Sequence, residues 1–335
     1  MKGGKVNQTE LSSPKRITLA PGVAILALAI LALLAFPWVF RKPFPQHLMV
    51  LVFLFGLLGQ AWNILGGYAG QASLGHAAYF GVGAYTSTLL MMKLGLSPWI
   101  GMIAAGLVAV VLSQINGYPC FRLKGHYFVI ATIVLAEIVQ TVFINWKWAG
   151  GAVGLTLPLL PETLVNFQFH SSKAPYYYIS LALLAIIMVV TYLIERSWLG
   201  YYFRAIKEDA DAARSLGVDI ARYKMIAMAI SAFFTGIAGT FYAQLVLYID
   251  PESVLPFSMS VLITLIPVLG GVGTLWGPVL GAFVLIPVSE FTRVYLGSGA
   301  RAVHLLVYGA LIMLVAVFQP RGLWALVERI RGRRT

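Results

Sequence analysis

Apolar residues fill blocks of about twenty along most of the chain, and short polar or glycine-rich stretches separate them. A block of that length crosses the hydrocarbon of a bilayer as a helix that satisfies its own backbone hydrogen bonds. Ten blocks fit this description: Ile17–Phe40, His47–Leu65, Leu74–Met92, Pro98–Asn116, His126–Phe143, Tyr176–Ile194, Met225–Tyr248, Phe257–Leu269, Pro278–Leu296 and Ala302–Phe318. The eighth is short and contains Pro267, and the third starts inside a glycine-rich stretch. The pattern predicts an all-α, polytopic integral membrane protein with about ten transmembrane helices. Residues 17–318 form the membrane domain, between an N-terminal tail 1–16 and a basic C-terminal tail 319–335.

Composition agrees. Of 335 residues, 59% are hydrophobic and 11% charged, against roughly 25% charged in a soluble domain. Mean hydropathy is +0.84. So much apolar surface excludes a soluble enzyme, a disordered chain and a disulfide scaffold. Cys120 is the single cysteine, so neither an internal disulfide nor a cysteine-rich metal site is expected. The first block follows Lys2, Lys5, Lys15 and Arg16 as a signal peptide would, but it is longer than a signal core and lacks a small-residue cleavage pattern. A retained anchor is expected.

The net charge of +12 reads as a determinant of orientation rather than of nucleic-acid binding. Ten spans leave both termini on one side, and that side holds 17 of the 24 lysines and arginines. The positive-inside rule makes it the cytoplasm. Trp38, Trp99, Trp146, Trp148, Trp198 and Trp324 fall at predicted span ends, where an interfacial aromatic belt sits.

No segment outside the spans is long enough for a catalytic domain, and no catalytic residues are assigned. The chain has no phosphate-cradling G-x-x-x-x-G-K-[ST] loop, no H-E-x-x-H and no G-x-S-x-G, and its five histidines are scattered. No metal site is expected. The loop 195–224 turns from apolar to charged and back. Its spacing predicts one short helix over Arg204–Leu216, stopped by Gly217, with Ile206, Ala210, Ala213 and Leu216 as a narrow apolar stripe. A partner surface or the bilayer surface would suit such a stripe equally.

At this loop a family resemblance begins. Asp211-Ala212-Ala213-x-x-x-Gly217 resembles the E-A-A-x-x-x-G loop of bacterial ABC importer permeases, with Asp where Glu is usual. The run Ala61-Trp62-Asn63-Ile64-Leu65-Gly66-Gly67-Tyr68-Ala69-Gly70-Gln71-Ala72-Ser73-Leu74-Gly75-His76 is similar to a segment of the branched-chain amino acid permease family. So are Phe121 to Thr132, Gly150 to Thr156 and Gly270 to Ala282, in the same order. The similarity spans roughly Leu48 to Pro320 and is closest to the larger of that system's two permease subunit types.

The resemblance implies a cytoplasmic coupling helix and a heteromeric inner-membrane importer. A second permease subunit, two ABC ATPase subunits and an extracytoplasmic (periplasmic) substrate-binding protein would be its partners, with the lipid bilayer around it and no nucleic acid. It implies import of leucine, isoleucine or valine. It implies no cofactor on this chain, since ATP would be bound by the ATPase subunits. Arg204, Lys207, Glu208, Asp211, Ala212, Ala213, Arg214 and Gly217 would face the ATPase. Related permeases for urea, amides or aromatic acids share much of the pattern, and an ion-coupled secondary transporter is the rival of another class.

Polar groups within spans are costly and usually face a bundle interior or a water-filled path. Glu137, Gln140 and Thr141 share one face of the fifth span, where a carboxylate and an amide could meet a solute's ammonium or amide group or simply bond to Gln244 or Asn63. The stretches Gly66–Gly75 and Gly270–Gly281 could frame a path through interrupted helices, or serve tight packing. Asn63, Gln71, Ser73, His76, Thr132, Glu137, Gln140 and Thr274 are the candidate path residues.

Overall fold

The computed structural model describes residues 31–123, 125–296, 309 and 322–325. The chain divides into two compact units, Met1–Arg41 and Lys42–Thr335. In the first unit a helix, α1, occupies 31–39. In the second, α2 (Pro43–Asn63) runs into a π-turn (Ile64–Tyr68), followed by α3 (His76–Leu94), α4 (Pro98–Cys120), α5 (His126–Asn145) and α6 (Ala174–Arg196). Next come α7 (Trp198–Glu208), α8 (Ala210–Ser215), α9 (Ile220–Val246), α10 (Pro251–Val254), α11 (Phe257–Gly270) and α12 (Gly277–Leu296). Prolines at the first turns of α2, α4 and α6 start helices where no backbone N–H partner is needed.

Eight expected spans coincide with α2 to α6, α9, α11 and α12. Among the described residues six helical segments are long and apolar enough to cross a membrane: Pro43–Tyr68, Pro98–Cys120, His126–Asn145, Ala174–Arg196, Ile220–Val246 and Pro251–Gly270. Gly277–Thr292 is a shorter apolar helix. The first expected span overlaps α1. The tenth lies outside the described residues except for helical residue 309, as do both expected tails apart from 322–325. α3 falls below the others in hydropathy because it carries His76, Tyr79, Tyr85 and several small polar residues. It can carry them because protein surrounds it: almost every residue from His76 to Tyr85 is buried.

Packing explains the small residues. α3, α4 and α9 form one tight trio, while α2, almost wholly buried, sits among α6, α9, α11 and α12. A Cβ on Gly83 would strike the Gly236 carbonyl oxygen, and one on Gly239 would strike the Phe80 carbonyl oxygen. The backbones of α3 and α9 therefore touch, as small residues allow between membrane helices. The Thr240 hydroxyl donates to the Gly83 carbonyl at 3.3 Å across this seam. Replacing Gly239 with Val is expected to force the seam apart. The loss should be on the order of 3 kcal/mol or more, the upper range for overpacking, and is read as a lower melting temperature of the purified chain with Gly239→Ala intermediate.

One end of the bundle is capped by the chain between α5 and α6. There β1 (Leu155–Thr156) pairs antiparallel with β2 (Tyr248–Ile249). Trp99 Nε1 donates to the Leu164 carbonyl at 2.6 Å, and Phe167 is buried against Trp99, Tyr176 and Phe241. The Glu162 carboxylate accepts from the Ser171 hydroxyl at 2.8 Å and from the backbone N–H groups of His170 and Ser171. These bonds hold its carboxyl below the ordinary carboxylate range. At the opposite end lie α7, α8 and the two glycine-rich stretches, and a Cβ on Gly322 would strike the Gly271 backbone there.

Candidate functional site

The loop between α6 and α9 is two helices, not the single one its spacing predicts. α7 ends at Glu208. Asp209 turns to extended backbone, and its carboxylate accepts from the N–H groups of Asp211 at 2.9 Å and Ala212 at 3.0 Å, starting α8 afresh. Gly217, at φ +85°, closes α8, and Asp219 caps α9 through the Arg222 N–H at 3.1 Å. Across these caps Ile206 of α7, Ala213 of α8 and Ile220 of α9 form one small buried core, with Ala210, Val218 and Tyr223 packed around them.

The apolar stripe therefore faces inward, and this corrects its reading as an open surface. Ala213 is buried, whereas Leu216, at the end of the stripe, is 86% exposed. Exposed Asp211, Ala212, Arg214, Ser215 and Gly217 surround it, with Glu208 also exposed. Asp211 and Arg214 form an exposed ion pair at 3.6 Å. Arg204 turns back, bonding the Glu195 carbonyl at 2.8 Å and the Glu195 carboxylate at 3.6 Å, so it ties α7 to the end of α6. The outward position of Leu216 was not expected. A leucine just before the glycine stop of a polar helix was the available signal.

Lys207 faces the two glycine-rich stretches. A Cβ on Gly70 would lie 3.0 Å from Lys207 Cγ and 3.2 Å from its Cβ, and a Cβ on Gly273 would lie 3.0 Å from its Nζ. Gly70, at φ +69°, makes the turn that permits this approach. The stretches are also tied to each other. Asn63 Nδ2 donates to the Thr274 carbonyl at 2.9 Å, and the Gly273 N–H donates to Asn63 Oδ1 at 2.8 Å. Asn63 is fully buried and stands just before the π-turn, where α2 departs from regular geometry. Asn63→Leu keeps the volume and removes both bonds. Two stranded backbone groups at about 1–3 kcal/mol each predict a loss of stability, measured as a lower melting temperature.

Most of the other polar candidates satisfy backbone that the breaks leave unpaired. Trp62 Nε1 donates to the Ser73 carbonyl at 2.7 Å, the Gly75 N–H to the Ser73 hydroxyl at 3.3 Å, and the Leu74 N–H to Thr132 Oγ1 at 3.1 Å. Thr132 in turn donates to the Val129 carbonyl at 2.7 Å. His76 Nε2 meets the Ser231 hydroxyl at 2.8 Å, and its ring lies edge-on to Tyr79. Thr274 Oγ1 donates to the Gly271 carbonyl at 2.8 Å and accepts from the Gly277 N–H at 3.1 Å. Half-buried Gln71 donates to the Gly70 carbonyl at 3.1 Å.

Glu137 and Gln140 lie elsewhere, on a flank of α5. Glu137 is exposed, and Gln140 donates to the Pro251 carbonyl at 3.4 Å rather than to Gln244 or Asn63. The eight candidates thus fall into one group around the breaks and one on α5. Among the described residues no three His, Cys, Asp or Glu side chains converge to hold a metal ion.

Comparison with known proteins identifies the family. A family model described as the permease component of the branched-chain amino acid transport system matches residues 44–316. The high-affinity branched-chain amino acid transport system permease protein LivM of Escherichia coli is 30% identical over 324 residues, covering 90% of this chain and 73% of the relative. LivM of Salmonella typhimurium is 30% identical over 322 residues, covering 89% and 74%. The high-affinity branched-chain amino acid transport system permease protein LivH of Escherichia coli is 25% identical over 289 residues, covering 80% of this chain and 90% of the relative. No solved structure matches the chain.

Proposed function

The chain belongs to the branched-chain amino acid transport permease family, and from that premise we propose that it is the larger of two permease subunits in an ATP-driven importer of leucine, isoleucine and valine. It lies in the bacterial inner membrane with both termini and the α7–α8 end in the cytoplasm. The distribution of 17 of 24 basic residues supports this orientation. Two ATPase subunits bind and hydrolyse ATP, and this chain carries neither cofactor nor catalytic group. A periplasmic binding protein delivers substrate to the end capped by β1 and β2.

α8 docks into the ATPase, with Leu216 as its apolar contact and Asp211, Ala212, Arg214 and Gly217 around it. Glu208 lies on the same exposed side. Closure of the ATPase pair moves α7 and α8 together, because Ile206 and Ala213 share one small core. Lys207 and Arg204 transmit the motion into the bundle rather than touching the ATPase. The inner ends of α2 and α11 then shift at their glycine-rich breaks. The path runs along the Glu137 and Gln140 flank of α5, facing the second permease subunit. A carboxylate on that flank suits a zwitterion's ammonium group and would be costly against lipid tails.

The observation that carries this reading is the contact of Lys207 with both breaks, joining the loop that would grip a motor to the places where helices would bend. Uptake of radiolabelled leucine in cells expressing the whole system tests it. Uptake should stop when ATP is depleted with the proton gradient maintained, and excess isoleucine or valine should compete while urea and phenylalanine do not. Uptake that follows the gradient instead would favour a secondary transporter, and competition by urea would reassign the substrate.

A further inference from the structure

α5 has two unlike flanks. On one, helical spacing groups Glu137, Gln140 and Thr141; on the other it groups Leu135, Ile138 and Val142. Ile138 and Val142 of the second flank, with Val139 and Phe143, form one wall of a groove of about 470 Å³ that opens between α4 and α5. Val111, Leu112 and Ile115 of α4 form the opposite wall, and Tyr85 of α3, packed on Phe143 at 4.5 Å between ring centres, lies between them. No charged residue lines the groove.

Its walls offer water few polar partners, and leaving the groove empty would forfeit their dispersion contacts. Three observations identify the occupant. First, the groove continues onto an aliphatic face of α4, where Ile100, Ile103, Leu107, Val111 and Ile115 are each more than half exposed. A face of that composition belongs against hydrocarbon, whereas the side of α5 that bears Glu137 does not. Second, at roughly 30 Å³ for a water-sized group, the volume admits on the order of fifteen methylenes, one acyl chain. Third, Trp146 lines the groove at the end of α5, Trp148 stacks on it at 5.6 Å, and exposed Lys147 lies between them. Tryptophans at headgroup depth beside a cation make a polar mouth for an apolar slot.

We propose that the groove between α4 and α5 is a phospholipid site, holding one acyl chain along Val111, Leu112 and Val142 with an anionic headgroup against Lys147. The site is separate from the ATPase-coupling loop and does not rest on the importer reading. Bound lipid would brace α5 on its lipid-facing side.

The full-length chain, loaded in vesicles of phosphatidylglycerol and phosphatidylcholine whose acyl chains carry a photoactivatable diazirine, is moved into lipid-free detergent and then illuminated. Adducts are expected within 108–115 and 138–146, from lipid that survives the exchange. Val111→Trp and Ile138→Trp, both at exposed positions and each filling the groove from one wall, should lower these adducts roughly tenfold with the melting temperature retained. Lys147→Gln should lower the ratio of phosphatidylglycerol to phosphatidylcholine adducts about fivefold, the weight of one basic residue at an anionic surface. Adducts that are absent, or equal in the unsubstituted chain and both tryptophan variants, would overturn the site, and an unchanged lipid ratio would overturn the headgroup assignment. Repeating the illumination on the chain copurified with its neighbours, with a photo-reactive residue at 138, gives lipid adducts if the site is as described. Cross-links to another polypeptide would instead make the groove a protein interface.

Discussion

Oxidation of a G70C/K207C pair is expected to stop substrate uptake, and a reducing agent should restore it. The Cβ positions at these sites lie 3.2 Å apart, just below the range of about 3.5–4.5 Å that a disulfide spans. A small backbone adjustment therefore permits the bond. Cys120 is buried and is replaced by Ser in the same background, so that no other disulfide forms. The G70C change carries its own cost, about 1–2 kcal/mol for a left-handed position. The single variants, treated with the same oxidant, measure that cost. If α7 drives the glycine-rich break during each cycle, the cross-linked pair locks the break and uptake falls at least tenfold below either single variant. Uptake that continues in the cross-linked protein would mean that α7 and the break move as one rigid piece, and transmission would have to run elsewhere.

Leu216→Asp should uncouple the chain from its motor. The leucine is 86% exposed, so the substitution costs the chain's own packing little and should leave its folding intact. Burying a leucine in a partner's groove contributes about 1.5–3 kcal/mol, and forcing a carboxylate into the same place adds a desolvation penalty. At 1.4 kcal/mol per tenfold, the ATPase subunits should bind on the order of a hundredfold more weakly. They should then fail to copurify, and uptake should fall to background while the chain itself reaches the membrane in normal amount. Asp211→Ala removes one member of an exposed ion pair and should change uptake far less than Leu216→Asp, since such pairs contribute about 0–1 kcal/mol. Ala213→Leu is the contrasting case. It enlarges a buried residue of the loop's own core and should perturb α7 and α8 themselves.

The spans were legible because their signal is thermodynamic and local. A block such as Tyr176–Ile194 has no soluble alternative, and the helix found there, Ala174–Arg196, differs by only two residues at each end. The α7–α8 break was not legible, because Ile206, Ala210 and Ala213 keep helical register across it. The register survives because both helices cover the same small core, while Asp209 interrupts the backbone through its side chain. Asn63 was singled out as a polar residue in a hydrophobic run, but its partners are 210 and 211 positions away in sequence. A bond of that separation leaves no periodicity to read. Glu137 and Gln140 were placed on one face of α5 by spacing alone, and they do share a flank. That this flank lies at the edge of the bundle depends on which helices pack against α5.

Under the proposed function this chain forms half of a path, and a separate nucleotide-hydrolysing protein moves it. The most direct measurement is leucine uptake into proteoliposomes containing this chain and the second permease, with and without the ATPase subunits, with binding protein outside and ATP inside. Uptake is expected only when the ATPases and ATP are both present, and Leu216→Asp should abolish it. Uptake at an undiminished rate without the ATPases, driven by an imposed ion gradient, would contradict the account.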